Sequence, residues 1–472
     1  MSIPQDSAIA SDWRDRDPVT LDILPDEVLL KIFAFFVDET RWKDGWHLLV
    51  HVCRKWRNIV LGSPHQLNLQ LVHTEKRSMK KILEVWPPLP IVIGGDYYTK
   101  SGQDNLLEAL EQNERVCEIK LWFISSSLWA GGVLAKMQVP FPTLTHLDFW
   151  FADNPASVIP DSFLGGSAPR LRKLSLKGAS FLRLPELLSS THNLVELTLR
   201  NIPHSGYISP EKMVACLSRL TSLKELDLSF QSPLSRPGAR PDEESQRLTR
   251  TLLPTLTDLC FDGASDYLED FVARVDAPLL NRMAIEFFHQ VRFDTPQLAQ
   301  FVSRIPHFRE RDEARVLFSD DKVSITLPGP FDQGLDLEVR CEQLDLQLAF
   351  VTQACGSSFP QALTATVKRL YIWYWPVEQP DNIEDSKWLQ LLHPFTTAKS
   401  LHLSRGLVPC IAATLQGLAG DSEGVTKVLP DLQQLFVETF HLSESDQKAF
   451  EPFIAARQLP DRTIAISPWD GE

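Results

Sequence analysis

The 472-residue chain has no pair of cysteines in C-x-x-C spacing. Its seven cysteines, Cys53, Cys117, Cys216, Cys260, Cys341, Cys355 and Cys410, are scattered and odd in number. That excludes a zinc ribbon or a fully paired disulfide framework and fits reduced, mostly buried thiols. Positive charge is not in excess: the formal net charge is −14, so the basic footprint of a nucleic-acid or anionic-membrane binder is missing. No apolar run is long enough to span a bilayer; the longest, Val28–Val37, contains Lys31. The first 20 residues are polar and mixed in charge, so no signal peptide is expected, which leaves cytoplasm or nucleus as the compartment.

Catalytic motifs are also missing. There is no G-x-x-x-x-G-K-[ST], G-x-G-x-x-G or G-x-S-x-G. Gly165-Gly166-Ser167 supplies half of a nucleophile elbow and runs into Pro169. His47 and His51 fall on one helical face, but Leu48-Leu49-Val50 separates them where a zinc protease needs a glutamate. Asp320-Asp321 and Asp242-Glu243-Glu244 read as solvated charge runs. His393 and His402 have no acid or nucleophile at a readable spacing. No catalytic residue, metal site or cofactor is expected, and the chain is not read as an enzyme.

What is present is an ordinary globular composition, 43% apolar and 23% charged, in a chain too long for one small core. The most informative segment is residues 21–60. Leu24-Pro25-Asp26-Glu27 opens a helix, since proline is tolerated in the first turn and acids suit the positive end of the helix dipole. Val28, Leu29, Ile32, Phe33 and Phe36 follow at helical spacing, while Leu30 and Phe35 lie off that stripe. Such a helix has more than one face to bury, one in its own module and one against a partner. A second helical segment, from about Trp46 to Leu61, carries Trp46, Leu49, Cys53, Trp56 and Val60, and Gly62-Ser63-Pro64 stops it. An unspecialised helical hairpin would show the same periodicity.

The Leu-Pro pair, Glu27, the apolar run and the closing Leu49-x-x-Val52-Cys53-x-x-Trp56-Arg57 resemble the F-box, the module that joins a receptor to a ubiquitin ligase. The segment 38–45 departs from the short apolar helix start that many members carry there. The resemblance implies a module over residues 20–66, after a flexible stretch at 1–19, that docks on a Skp-type adaptor and through it a cullin–RING ligase. It assigns adaptor binding to Leu24, Pro25, Val28, Leu29, Ile32, Phe33, Leu49, Cys53 and Trp56.

Down the remaining chain an apolar-x-x-apolar-x-apolar motif recurs. Clear copies are Leu144/Leu147/Phe149, Leu171/Leu174/Leu176, Leu194/Leu197/Leu199, Leu223/Leu226/Leu228 and Leu256/Leu259/Phe261, separated by 27, 23, 29 and 33 residues. Weaker copies start at Leu280, Val367, Ala398 and Leu432, and an early one at Val116. The last three positions read as a short strand with one buried face. Helix-entry signals stand between copies at Ser209-Pro210-Glu211, Ser265, Thr295-Pro296 and Asp385-Ser386. Strand and helix alternating at this period resemble the leucine-rich repeat. The expected fold class is therefore α/β: an N-terminal helical F-box, then an irregular leucine-rich-repeat-like solenoid over 67–472 with a curved, mainly parallel sheet. A non-repeating α/β domain is the alternative. The family's turn-closing Asn or Cys is replaced by Ala152, Ala179, Ile202, Gln231 and Ala264, so the turns need another partner. Between residues 305 and 365 the repeat gives way to plain strands at Arg315–Phe318, Val323–Leu327 and Leu335–Val339, read as a meander. Residues 235–250 read as an exposed insertion, a solvated linker or a site of regulatory modification.

The stretches 163–171, 202–218 and 388–404 resemble those of a large expanded fungal family of F-box proteins, which implies a substrate receptor and leaves the substrate undefined. In a solenoid the residues between buried strand positions face outward, and Trp122, Trp150, Arg200, Tyr371 and Trp373 are the candidate cargo contacts, since aromatic and Arg side chains dominate binding hot spots. The expected function is substrate recognition for a Skp-cullin-F-box ubiquitin ligase; a non-catalytic repeat scaffold that binds partners without promoting ubiquitylation is the alternative.

Overall fold

The computed structural model describes residues 24–39, 45–73, 75, 78–95, 99–123, 127–152, 157–232, 250–288, 294–309, 311–331, 333–359, 361–375, 384–418, 427–439, 444–457 and 464–470. The stretch 1–19, most of the variable segment between the N-terminal helices and nearly all of 235–250 lie outside the described residues. The chain forms two compact units, Met1–Lys120 and Leu121–Glu472.

The first unit opens with α1 (Asp26–Glu39), α2 (Trp46–Val50) and α3 (Arg54–Gly62). Asp26 and Glu27 occupy the first turn of α1, where the dipole favours acids. The helical segment expected over 46–61 is two helices. The chain turns at 51–53, and Cys53 adopts an extended φ of −154° and ψ of 172°. Its Sγ accepts the Trp56 N–H at 3.5 Å, so Cys53 caps α3 as a serine would, only more weakly. The periodicity from Leu49 through Cys53 to Trp56 thus runs across a break. Leu29, Phe33, Trp46, Leu49, Val50 and Val60 make the core of this helical module.

The packing continues past residue 66, where the sequence placed the end of the module. The Trp46 indole donates to the Gln70 carbonyl at 2.9 Å, and the Trp86 ring stands edge-on to Trp46 at 5.0 Å. Leu67 and Leu69 are buried. Two parallel strands, β1 (Leu71–His73) and β2 (Ile91–Gly95), pair Leu71 with Ile91, and helices α4 (Met79–Val85) and α5 (Lys100–Leu110) complete the unit.

The second unit is mixed α/β with a large, mostly parallel sheet. Its strands are β3 (Val116–Phe123, inside which the division falls), β4 (His146–Phe151), β5 (Lys173–Lys177), β6 (Glu196–Ile202), β7 (Glu225–Phe230), β8 (Asp258–Gly263) and β9 (Arg282–Phe287). Then come β10 (Glu313–Phe318), β11 (Lys322–Pro328), β12 (Gly334–Arg340), β13 (Arg369–Tyr374), β14 (Ser400–Leu403), β15 (Gln434–Glu438) and β16 (Ala465–Trp469). From β4 to β9 spatial order follows chain order and every pair is parallel; Leu147, Leu174, Leu197, Leu226, Leu259 and Met283 form one continuous row, and the register shifts between β6 and β7 only beyond Leu199, towards Ile202. The first apolar residue of each clear copy, Leu144, Leu171, Leu194, Leu223 and Leu256, is also buried. Each copy therefore hides its apolar side under its neighbours, the arrangement of a leucine-rich-repeat-like stack.

The helices of this unit include α6 (Ser127–Lys136), α7 (Leu184–Leu188), α8 (Pro210–Leu217), α9 (Ser265–Val272) and α10 (Pro296–Arg304). Four more, α11 (Leu344–Gln353), α12 (Asp385–Leu392), α13 (Val408–Leu418) and α14 (Glu444–Arg457), follow the meander. Neighbours pack in succession from α7 to α10 and again from α11 to α14. The entry signals hold at α8, where Ser209 accepts the Lys212 N–H at 3.4 Å, and at Pro296. Ser265 instead sits inside its helix, behind Ala264.

The missing Asn ladder is replaced by backbone and rings. Ala152 donates its N–H to the Phe123 carbonyl and Gln231 to that of Ile202, one repeat reaching the previous one at 3.1 and 3.0 Å. Gly178, at φ +75°, donates to the Arg200 carbonyl and lies so close to the Phe151 carbonyl that a side chain would collide with it. Phe123 stacks on Phe151 at 4.6 Å, and Phe230 contacts Phe261 and Tyr267. Threonines before the strands add to this: Thr255 Oγ1 lies 2.8 Å from both the Thr221 and Leu223 carbonyls.

The plain strands between 305 and 365 are a three-stranded meander inserted in reverse. The sheet order there is β9-β12-β11-β10-β13. Only β11 is antiparallel to its neighbours; β12 pairs parallel with β9, and β10 with β13. The chain thus skips ahead, folds back through β11 to meet β9, and resumes the parallel run at β13.

Candidate functional site

In the first unit the nine residues assigned to adaptor binding divide by exposure. Leu29, Phe33 and Leu49 are core: Leu29 and Phe33 are each 1% exposed, and the Phe33 ring lies 4.6 Å from that of Trp56. As surface contacts these three are corrected, because side chains sealed in the module's own interior cannot touch a second polypeptide. Leu24 and Trp56 are half-buried, and Pro25 and Cys53 are exposed. Val28 and Ile32, one turn apart on α1, are exposed, Ile32 by 47%. Phe35, which the sequence left off the stripe, is exposed by 66% and continues their face at i, i+4, i+7 spacing. Leu48, on α2, and Val52, in the turn that follows it, are exposed by 65% and 59%.

The polar residues of the motif hold this surface in shape. Lys55 Nζ donates to the Leu24 carbonyl at 3.1 Å and pairs with Asp26 at 3.5 Å, fixing the start of α1. Arg57 Nε donates to the Val50 carbonyl at 3.0 Å, closing the turn between α2 and α3. His47 packs on Trp46 and Trp86, which leaves it a packing role beside His51.

In the second unit the outward strand positions form rows. One runs Asp148, Ser175, Thr198, Asp227, Cys260, Ala284, Asp336, Thr326, Arg315, Tyr371, His402, Phe436 and Ser467. The five cargo candidates lie on this face but do not gather. Trp122 and Trp150 meet edge-on at 6.0 Å, both about two-fifths exposed. Tyr371 and Trp373 stack at 5.4 Å nine strand spacings beyond β4, roughly 43 Å along the sheet at about 4.8 Å per strand. Arg200 lies between them with its guanidinium committed to Asp227, at 2.7 Å from Nε and 2.6 Å from Nη2.

Between the aromatic groups the face is charged and internally paired. Lys173 pairs with Glu196, Arg340 with Glu286, and Lys322 with Glu338 at 3.0 Å. Trp150, Arg200, Asp227, Asp262 and Arg340 border an open groove of about 640 Å³. Burial, and then the neighbouring Glu286, raise the Asp262 carboxyl above its usual range; burial, then Glu196 and Asp258, do the same to Glu225. At the far end Phe436 and Trp469 join Tyr371 and Trp373. His402 is sandwiched between Tyr371 at 4.1 Å and Phe436 at 4.3 Å, and burial, with Arg369 nearby, lowers it to about 4. Sequence reading missed Phe436 and Trp469; the register of β15 and β16 brings them in, and β16 carries no repeat motif to announce it.

Of the cysteines, Cys216, Cys341 and Cys355 are buried, Cys117, Cys260 and Cys410 half-buried and Cys53 exposed; all are free. Among the described residues no group of three His, Cys, Asp or Glu side chains is placed to hold a metal, and no helix is long and apolar enough to cross a membrane.

No protein-family model matches the sequence, and comparison with curated proteins gives no match. Among solved structures the chain is similar to the leucine-rich repeat-containing protein LegL7 from Legionella pneumophila, at 13% identity and a TM-score of 0.28, over 69% of this chain and 95% of that one. An overlap that low leaves the description of the fold resting on strand order and register.

Proposed function

We propose that the chain is the substrate-recognition subunit of a Skp-cullin-F-box ubiquitin ligase. Its helical module docks on a Skp-type adaptor, and its repeat unit holds cargo. The supporting observation is that Val28, Ile32 and Phe35 on α1, Leu48 on α2 and Val52 just after it are all exposed in the module that carries the F-box-like motif. Apolar side chains aligned on a charged, soluble-type chain favour a covering partner. The mechanism is proximity: cargo held on the repeat face is brought to a conjugating enzyme at high effective concentration, and no residue of this chain makes or breaks a bond. The test is size-exclusion chromatography of the full chain with a Skp-type adaptor, which the reading expects to give a single complex. Separate migration would refute it. Accumulation of a cargo-bound protein after deletion of residues 24–62 distinguishes a ligase receptor from a scaffold that takes the adaptor without promoting ubiquitylation.

A further inference from the structure

The strand face of the second unit leaves its charges unevenly paired. Among the described residues, Asp148, Glu225, Asp258, Asp336 and Glu438 lie on outward strand positions with no ion pair, while Lys177 and Arg282 are the outward cations in that condition. The surplus is acidic.

One of these carboxylates stands in an aromatic groove. A cavity of about 320 Å³ is lined by Arg315, Leu317, Trp373, Trp375 and Glu438, with Ser324 and Thr326 at its floor strand. Trp375 is 67% exposed. In register, the small Ser404 follows the end of β14 at Leu403 between Trp373 and Glu438, and the Trp469 ring, 5.8 Å from that of Trp373, stands on the β16 side of the groove. The protein's own Arg315 shows what this surface accepts. Its guanidinium lies 5.9 Å from the Tyr371 and Trp373 ring centres and is neutralised by Glu313 at 2.5 Å. Glu438 offers a second carboxylate beside the same tryptophan, without a cation of its own.

We infer that this groove seats a lysine or arginine side chain of a basic, extended cargo segment, between Glu438 and the indoles of Trp373 and Trp375. The occupant is a protein segment, because the groove sets a carboxylate beside aromatic faces and the strand face as a whole carries more unpaired acid than unpaired base, which disfavours nucleic acid and anionic lipid. This inference rests on the reading of the repeat unit as the cargo-holding part.

The probe is a fluorescein-labelled nonapeptide alternating glycine with arginine, titrated into the full chain by fluorescence anisotropy; the same peptide with glutamate for arginine is the control. Saturable binding of the basic peptide is expected, weakened about tenfold by Glu438→Gln and by Trp375→Ala, as loss of a partly desolvated charge or cation–π contact requires. Glu444→Gln, an equal charge change on α14, leaves affinity within about twofold, which separates the site from net charge alone. No saturation by about 1 mM, or equal affinity in wild type, Glu438→Gln and Trp375→Ala, overturns the inference. Adaptor co-migration is measured on the same variants. If it persists while peptide binding is lost or absent, only the cargo groove is in question; if it is absent in wild type while the groove binds, only the ligase reading fails.

Discussion

The two units present opposite kinds of surface. The helical module exposes large apolar side chains on α1 and around the end of α2, and the strand face of the repeat unit shows rings and charges, many of them paired with one another. Exposed aliphatic side chains gain free energy only by being covered, roughly 25 cal/mol for each Å² removed from water. A surface of that kind suits a partner held for long periods. A charged, wettable face suits partners that come and go, because its ion pairs are worth little individually and are readily exchanged. In the proposed receptor role the first unit would supply the lasting attachment and the second the exchangeable one.

The sharpest way to break this comparison is to substitute neighbours on α1. Phe33→Asp puts an unpaired carboxylate against Trp56 in the core and should destabilise the first unit by about 4 kcal/mol or more. Ile32→Asp, one residue away on the exposed face of α1, should change stability by about 0.5 kcal/mol at most. Thermal melting followed by circular dichroism checks both, and equal losses would show that this face is part of the interior. A variant carrying Leu29→Asp and Phe33→Asp would lose an adaptor through unfolding, so it does not test docking.

A smaller effect sharpens the account of the strand face. His402 is lowered from 6.5 to about 4 by burial and by Arg369, so the folded state resists its protonation. The stability this represents is complete above the unfolded value of 6.5 and is lost as pH falls from there towards 4. Between pH 7 and pH 5 the loss is about 2 kcal/mol for one such histidine. His402→Phe keeps a ring between Tyr371 and Phe436 and should remove that share of the acid sensitivity. His73 in the first unit is lowered to about 4 in the same way and retains its own share, while the raised carboxyls of Glu225, Asp262 and Glu269 act in the opposite sense. Identical pH dependence in wild type and variant would count against the stacked, neutral His402.

The smallest effect concerns the turns. Thr255→Val removes a hydroxyl shared between two carbonyls of the previous repeat and should cost about 1 kcal/mol by urea denaturation. A value near zero would leave backbone bonds and Phe contacts as the sole substitutes for the missing Asn ladder.

Much of the repeat was legible because strand and helix period differ: Leu171/Leu174/Leu176 cannot bury all three side chains except as a turn leading into a strand. The meander was legible too, from the alternation of Val323, Ile325 and Leu327, but its reversed insertion was not, since nothing local records which strand edge a hairpin returns to. β16 escaped notice because Ala465-Ile466-Ser467-Pro468-Trp469 has little apolar alternation, and its proline is tolerated on an edge strand. At the candidate sites, helical spacing told which residues are apolar but not which side faces water. Phe33 and Phe35 differ by two positions and have opposite fates, decided by the ring of Trp56. The break at Cys53 was hidden because its spacing to Leu49 and Trp56 suits a continuous helix, whereas its side chain caps a new one.

The central claim is that the exposed apolar side chains of α1, of α2 and of the turn after it form a docking surface for a Skp-type adaptor. Isothermal titration of that adaptor into the full chain, and into a variant carrying Ile32→Asp and Val52→Asp with an unchanged melting profile, tests it most directly. The account predicts tight binding to the wild type and at least about a hundredfold weaker binding to the variant, as loss of two central apolar contacts implies. Equal affinity for the two proteins, or no heat of binding to the wild type, would contradict it.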